Sequence, residues 1–320
     1  MSSKTSLGTV TLCRGVSVSP LCFGTLTLGP LQKNLSPEAG GRLISHAYAQ
    51  GITFFDTAEL YGTYAHLRAG LGSKIGEVVI ASKSYAADAP SMAKSVERAR
   101  AELNRDYIDI FLLHEQESVH TMKGHREALD YLLDLREKGV VRAVGLSTHH
   151  VAGVRAAYGC PDIDVIHPLI NLSGIGIADG TREEMAESIL EAGLAGKAVY
   201  AMKALAGGAL FRQAAAALTY VRQLPGVKAL AIGMGSIADI EANVAFFATD
   251  AFPPSYAMDG ERGERRLLIE PWCAGCGDCV PHCRANCLAV KGDKVEVDHS
   301  RCTLCGYCVA HCKGFYMKVI

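Results

Sequence analysis

From residue 50 to 250 the chain alternates short apolar runs with amphipathic stretches, and this alternation constrains the fold most. GITFFD (51–56), VVIASK (78–83), YIDIFLLH (107–114) and VVRAVGLS (140–147) read as strands. So do DIDVIHPLIN (162–171), KAVYAMKAL (197–205) and VKALAIGM (227–234). Strands that are apolar nearly throughout are buried on both faces, the mark of a parallel sheet covered by helices. Helical patterns fall between them, around 63–71, 90–104, 124–138, 181–194, 211–223 and 236–247. If LCFGT (21–25) opens the set, the count is near eight strand–helix units, which favours a (β/α)8 TIM barrel over a doubly wound sheet. VTLCRGVSV then reads as a hairpin plugging the barrel bottom. GLGSKIG (70–76) mimics a dinucleotide glycine loop, but no strand precedes it and its spacing is wrong.

Composition excludes several classes of function. The 320 residues are 49% hydrophobic, enough for a large core, and the net charge of −1 gives no global argument for nucleic acid or acidic membranes. No apolar run approaches the length of a membrane span. The opening MSSKTSLGTVTLCRG has no apolar core of a secretory signal, so a cytoplasmic protein is expected. The oligomeric state is not legible.

The last fifty residues follow a different rule. Cys273, Cys276, Cys279 and Cys283 are spaced C-x2-C-x2-C-x3-C, and Cys302, Cys305, Cys308 and Cys312 repeat that spacing. A zinc ribbon uses two separated pairs and leaves the third close cysteine of each run unexplained. The doubled run resembles the two-cluster bacterial ferredoxins, which hold two [4Fe–4S] clusters. That resemblance implies one cluster on Cys273, Cys276, Cys279 and Cys312, and the other on Cys302, Cys305, Cys308 and Cys283. It also implies electron transfer, a reducing or anaerobic setting, and a ferredoxin or similar electron-transfer partner. The implied organisation is a barrel over 1–250, a linker over 251–268, and a small α+β ferredoxin-like iron–sulfur domain over 269–320. LAVKGDKVEV is expected to form a hairpin turning at Gly292-Asp293. Ferredoxin runs usually end in Cys-Pro, whereas these end in Cys283-Arg284 and Cys312-Lys313. Cys287 is expected to pack against a cluster, with ligation as the alternative. Cys13, Cys22 and Cys160 are expected to be buried free thiols.

Three ionisable residues end successive barrel strands: Asp56, Lys83 and His114. Tyr61 lies in the loop after the first of them. The carboxyl-end rim is where α/β barrels form active sites. GITFFDTAELYG, the lysine of VVIASK and the histidine of DYIDIFLLH resemble the aldo-keto reductases over about residues 8–247. The resemblance implies a catalytic tetrad of Asp56, Tyr61, Lys83 and His114, NADH or NADPH as cofactor, and a small carbonyl or alcohol as substrate. On this reading Asp56 orients Lys83, whose ammonium lowers the phenol pKa of Tyr61. His114 holds the substrate oxygen and Tyr61 protonates it as hydride arrives from the nicotinamide. The resemblance also assigns cofactor contacts to Ser147, Asn171, Gly233, Ser236, Glu241 and Asn243, and suggests Lys203 for the pyrophosphate.

The match departs from the family in the nicotinamide pocket. Thr148 stands where Asn is frequent, His167 where Gln is frequent, and Met202 where an aromatic stacks. Asp239 stands where an arginine typically reads a 2′-phosphate. The readings are therefore three: a nicotinamide-dependent carbonyl reductase with an appended electron-transfer module, a ferredoxin-fed single-electron reductase, or a non-catalytic electron carrier. His149 and His150 are expected on a solvated loop above the site.

Overall fold

The computed structural model describes residues 7–254, 266–283, 285–302, 304 and 306–320. Strands β1 (Val10–Cys13) and β2 (Val16–Val18) form an antiparallel hairpin. Eight strands then close a parallel barrel: β3 (Leu21–Gly24), β4 (Phe54–Asp56), β5 (Val79–Ser84), β6 (Ile108–Leu113), β7 (Val141–Thr148), β8 (Val165–Pro168), β9 (Ala198–Met202) and β10 (Val227–Gly233). Neighbours in sequence are neighbours in the barrel, and β10 pairs back onto β3. The strands expected at 162–171 and 197–205 are shorter than their apolar runs, because both chains leave the sheet at the rim.

The helices lie between the strands: α1 (Pro37–Ala49), α2 (Tyr64–Leu71), α3 (Ala89–Leu103), α4 (Val119–Gly124), α5 (Arg126–Glu137), α6 (Val151–Tyr158), α7 (Arg182–Leu194), α8 (Ala214–Gln223) and α9 (Ile237–Thr249). Side chains that accept backbone N–H groups start several of them. Ser36, Asp88 and Ser236 cap α1, α3 and α9, and Thr181 forms a reciprocal capping box with Glu184 on α7. The helix expected at 124–138 begins after α4, and α6 falls in a stretch where no helix was expected.

The barrel interior obeys the two-residue period of its strands. Phe54, Val79, Ala81, Ile110, Leu112, Ala143, Val165, Ala198, Tyr200 and Ala229 point inward as one apolar cluster. Leu12, Val16 and Val18 of the hairpin join that cluster and close the lower end, as the sequence predicts. The other strand face packs on the helices in a second, larger core.

The last described stretch contains β11 (Leu267–Ile269), β12 (Leu288–Lys291), β13 (Lys294–Val297), α10 (Tyr307–Ala310) and β14 (Met317–Val319). The hairpin β12–β13 turns at Gly292-Asp293. β11 pairs antiparallel with β14, so Leu267 and Leu268, expected in a linker, are strand residues. The segment lies against the barrel's upper loops. A Cβ on Gly208 would meet the Val319 carbonyl at 2.2 Å, and one on Gly176 would meet the Phe315 ring at 2.9 Å.

Candidate active site

Barrel register brings the expected tetrad together. Asp56 pairs with Ala81, and Lys83 is two residues further along β5, so both side chains point inward at neighbouring levels. Lys83 pairs with Leu112, and His114 is two residues beyond that. Lys83 is 1% exposed, and its Nζ donates to Asp56 Oδ1 at 2.7 Å, Asp56 Oδ2 at 2.8 Å and the Thr57 carbonyl at 2.8 Å. Tyr61 sits in the short turn Glu59–Tyr61 above β4, and left-handed Gly62 (φ +63°) takes the chain away from it. Glu59 anchors that turn by accepting from Ser84 Oγ at 2.8 Å and Ser95 Oγ at 2.7 Å. The Tyr61 ring lies 5.0 Å from Lys83 Nζ and edge-on to His114 at 5.9 Å.

The electrostatics differ from expectation at Tyr61. Burial pushes its phenol well above the usual range, and Asp56 pushes it the same way. The Lys83 ammonium beside it is held by the Asp56 carboxylate and the Thr57 carbonyl. The Tyr61 phenol is therefore held protonated. Burial and the Lys83 charge draw His114 well below the usual imidazole range, so its ring is neutral. His114 Nδ1 is buried with no hydrogen-bond partner among the described residues. Tyr85 stacks on the His114 ring at 4.2 Å and fixes its plane.

Two inward residues of the upper barrel complete this centre: His167, expected in the nicotinamide pocket, and Tyr200, which was missed as part of the site. Tyr200 donates to Asp56 Oδ2 at 2.9 Å. His167 stacks on Tyr200 at 3.9 Å, and its Nδ1–H donates to the Tyr200 carbonyl at 2.7 Å. Burial lowers His167 to about 4. A tyrosine inside a continuous apolar strand reads as core; only its place on the inward face two residues before Met202 could have marked it.

A cavity of about 540 Å³ opens from this centre. Asp56, Tyr61, His167, Met202 and Lys203 line one end, and Gly233, Gly235, Ser236, Asp239 and Asn243 line the other, at the start of α9. Ser236 Oγ accepts from the Asp239 N–H, and Asp239 accepts from the Gly235 N–H. Asn243 Oδ1 is buried and unpartnered among the described residues, an acceptor left for a ligand. Phe315, Lys318, Val319 and Ile320 of the cysteine-rich segment form part of the same wall.

The remaining expected contacts lie elsewhere. Ser147 Oγ accepts from the Glu115 N–H, Asn171 ties down residues 173–175, and Glu241 pairs with His46 of α1 at 3.3 Å. None of the three lines the cavity. Thr148 accepts from the His150 N–H just before α6. Lys203 Nζ donates to His149 Nε2 at 2.9 Å, which makes His149 part of the cavity lining's support instead of a solvated loop residue.

The cysteines fall into two groups. Cys273, Cys276 and Cys312 lie close enough to Cys279 to act on its thiol, which burial and these neighbours push up to about 11. Cys283, Cys287, Cys302 and Cys308 line a second, smaller pocket together with Leu267 and Val319. Val319 thus belongs to both pockets. Cys283 and Cys287 sulfurs are 3.3 Å apart. Cys305 and Arg284 lie outside the described residues. Among the described residues, no three His, Cys, Asp or Glu side chains converge for a single metal ion. Cys22 is buried as expected, whereas Cys13 and Cys160 are half-buried. No described helix is long and apolar enough to cross a membrane.

Comparison with known proteins adds a family. The Aldo/keto reductase family profile matches residues 20–214. The L-galactose dehydrogenase of Arabidopsis thaliana is 24% identical over 300 residues, covering 80% of this chain and 92% of that protein. An aldo-keto reductase 1 of Glycine max is 31% identical over 175 residues, 49% of this chain and 47% of its own length. The chain spans about half the length of several such curated relatives. A Pseudomonas aeruginosa protein whose crystal structure carries the aldo-keto reductase name has a TM-score of 0.66 at 26% identity, covering 77% of this chain and 97% of that one.

Proposed function

The chain belongs to the aldo/keto reductase family, a family of oxidoreductase enzymes, and from that premise we infer that it reduces a small carbonyl compound with a nicotinamide cofactor. The observation that carries this reading is the buried Lys83–Asp56 pair beside Tyr61 and His114, with Asp56 and Tyr61 on the wall of a cavity of about 540 Å³ that also reaches the start of α9. The residues present fit that cofactor. The unpartnered Asn243 acceptor and the N-terminus of α9 stand at one end. Ser236, Asp239 and Asn243 would hold the nucleotide portion. Ser147, Asn171 and Glu241 would contribute only through the loops and helix they brace. The cofactor, when bound, supplies hydride.

The chain's own residues do the rest. His114, neutral, donates a hydrogen bond to the carbonyl oxygen and polarises it. Tyr61 gives its proton to that oxygen as charge develops there. Lys83, fixed by Asp56, places positive charge beside the phenolate left behind and stabilises it. Tyr200 holds the Asp56 carboxylate in position. Tyr61→Phe tests the reading: carbonyl reduction should fall by about 10²- to 10⁴-fold, the usual range for a lost general acid. Retained activity would remove Tyr61 from the mechanism.

The cysteine-rich segment would hold two [4Fe–4S] clusters in a ferredoxin-like domain that begins at β11 and is joined to the barrel by the residues between α9 and β11. Each cubane gives every thiolate its own iron, so its ligands stand further apart than those of one ion. The grouping of Cys312 with the first run, and of Cys283 with the second, supports the crossed ligation typical of the two-cluster spacing. Cys287, against Cys283, is the neighbour of one site. A second reading, single electrons from a ferredoxin-class donor in place of hydride, draws support from the wall shared at Val319.

A further inference from the structure

Three lysines line the cavity, and two are already engaged. Lys318 is ion-paired with Glu270, and exposed Lys33 reaches the Gly235 carbonyl. Lys203 differs. It is half-buried, lines the cavity, and makes no ion pair among the described residues. One of its three N–H donors goes to His149 Nε2 at 2.9 Å. Its Nζ sits 4.6 Å from the centre of the Phe315 ring. The other two donors have no protein acceptor among the described residues.

The backbone keeps the ammonium there at a cost. Lys203 has φ +60° and Phe315 has φ +52°, both in the left-handed region that long or aromatic side chains avoid. Two such residues in contact, at the edge of a candidate active site, are strain that surrounding structure must hold in place. Lys203 is the residue after β9, on the same rim as the tetrad. The charged and titratable groups facing it are Lys83 on β5, His114 and Glu115 after β6, His149 after β7, His167 on β8, Lys318 on β14 and Glu270 after β11. Burial and Lys318 lower the Lys203 ammonium to about 7, while Glu115 and Glu270 oppose the shift.

We propose that Lys203, supported by His149 and Phe315, is the docking point for an anionic group of the substrate, so that this cavity takes a carbonyl compound carrying a carboxylate. The proposal rests on the carbonyl-reductase reading. The same cation chemistry would also suit the cofactor's phosphates. Position favours the substrate, because Lys203 acts on His114 and neighbours Lys83, whereas the nucleotide end of the cavity lies at Ser236 and Asn243.

The probe pair is phenylglyoxylate and acetophenone, which differ by a carboxylate in place of a methyl group. The readout is the ratio of their kcat/KM values, with nicotinamide affinity followed separately by fluorescence. In Lys203→Met the preference for phenylglyoxylate should fall about 10- to 100-fold, the range for a lost hydrogen bond to a charged group. In the wild type, KM for phenylglyoxylate should rise about tenfold per pH unit above about 7 as Lys203 loses its proton, with no such rise for acetophenone. Lys203→Arg, charged at every pH used, should keep the preference and lose that pH dependence. A ratio within twofold of wild type in Lys203→Met overturns the proposal, as does a weakened nicotinamide affinity with the ratio unchanged. If the wild type reduces neither ketone, the carbonyl-reductase reading fails. Calorimetric binding of phenylglyoxylate then decides Lys203 by itself: binding lost in Lys203→Met supports the docking point, and no binding to the wild type overturns it.

Discussion

Asp56→Asn isolates the pair on which the site is built. The Asp56 carboxylate accepts from Lys83 at 2.7 and 2.8 Å and from Tyr200 at 2.9 Å, and both it and Lys83 are at most 4% exposed. An asparagine keeps the shape and one acceptor but removes the charge, leaving a buried cation without its carboxylate. Breaking one side of such a pair costs about 3–5 kcal/mol. At about 2–4 °C per kcal/mol for a chain of this size, the melting temperature should drop by about 6–20 °C. Urea unfolding monitored by circular dichroism, with thermal unfolding beside it, measures both. The double variant Asp56→Leu/Lys83→Met removes both charges and should lose less stability than Asp56→Asn alone, because no uncompensated charge remains. A loss below about 1 kcal/mol in Asp56→Asn, or a double variant less stable than the single one, would refute the claim that the pair is a dry, mutually dependent unit.

Other outcomes follow from the same geometry. Burial depresses the pKa of His114, His149 and His167, the last to about 4, so the unfolded chain binds protons below about 6.5 that the folded one does not. Stability should therefore be full above pH 6.5 and decline as the pH falls from there toward 4, and His167→Gln should flatten part of that decline in acid titrations of unfolding. Leu12→Ala removes part of the hairpin plug and should cost about 2–5 kcal/mol in urea unfolding without changing KM. Anaerobically prepared protein should contain about eight iron and eight sulfide per chain, as two cubanes require; zinc in their place would end the cluster assignment. Cys312→Ala should perturb the electron paramagnetic resonance signal of the cluster on the first cysteine run, and a change confined to the second run would contradict crossed ligation.

Much of this fold was legible because the barrel strands are buried on both faces and written almost wholly in apolar residues. The tetrad was legible for a related reason: Asp56, Lys83 and His114 are polar residues ending apolar runs, and register then stacks them on one inward face. Tyr200 was not, because its partner Asp56 is 144 residues away and its strand gives it an apolar context. Nor was the pairing of β11 with β14, which joins segments some fifty residues apart with no turn between them to announce it. The nucleotide contacts expected at Ser147, Asn171 and Glu241 show a further limit. A motif fixes where a residue stands on its strand or helix, but local hydrogen bonds decide which way a short polar side chain turns. Phe315 and Val319 lie in a cysteine-rich run whose spacing speaks of metal ligation, and nothing in that spacing says that the same strand walls the barrel's cavity.

The central claim is that hydride, with a proton from Tyr61, reduces a carbonyl in this cavity. The most direct measurement is anaerobic turnover of phenylglyoxylate and acetophenone with nicotinamide cofactor carrying deuterium at C4 of the reduced ring, followed by mass spectrometry of the alcohol. Deuterium should appear on the carbinol carbon of the product, and that product should be lost in Tyr61→Phe. Alcohol formed without deuterium, or only when a one-electron donor replaces the nicotinamide, would contradict it.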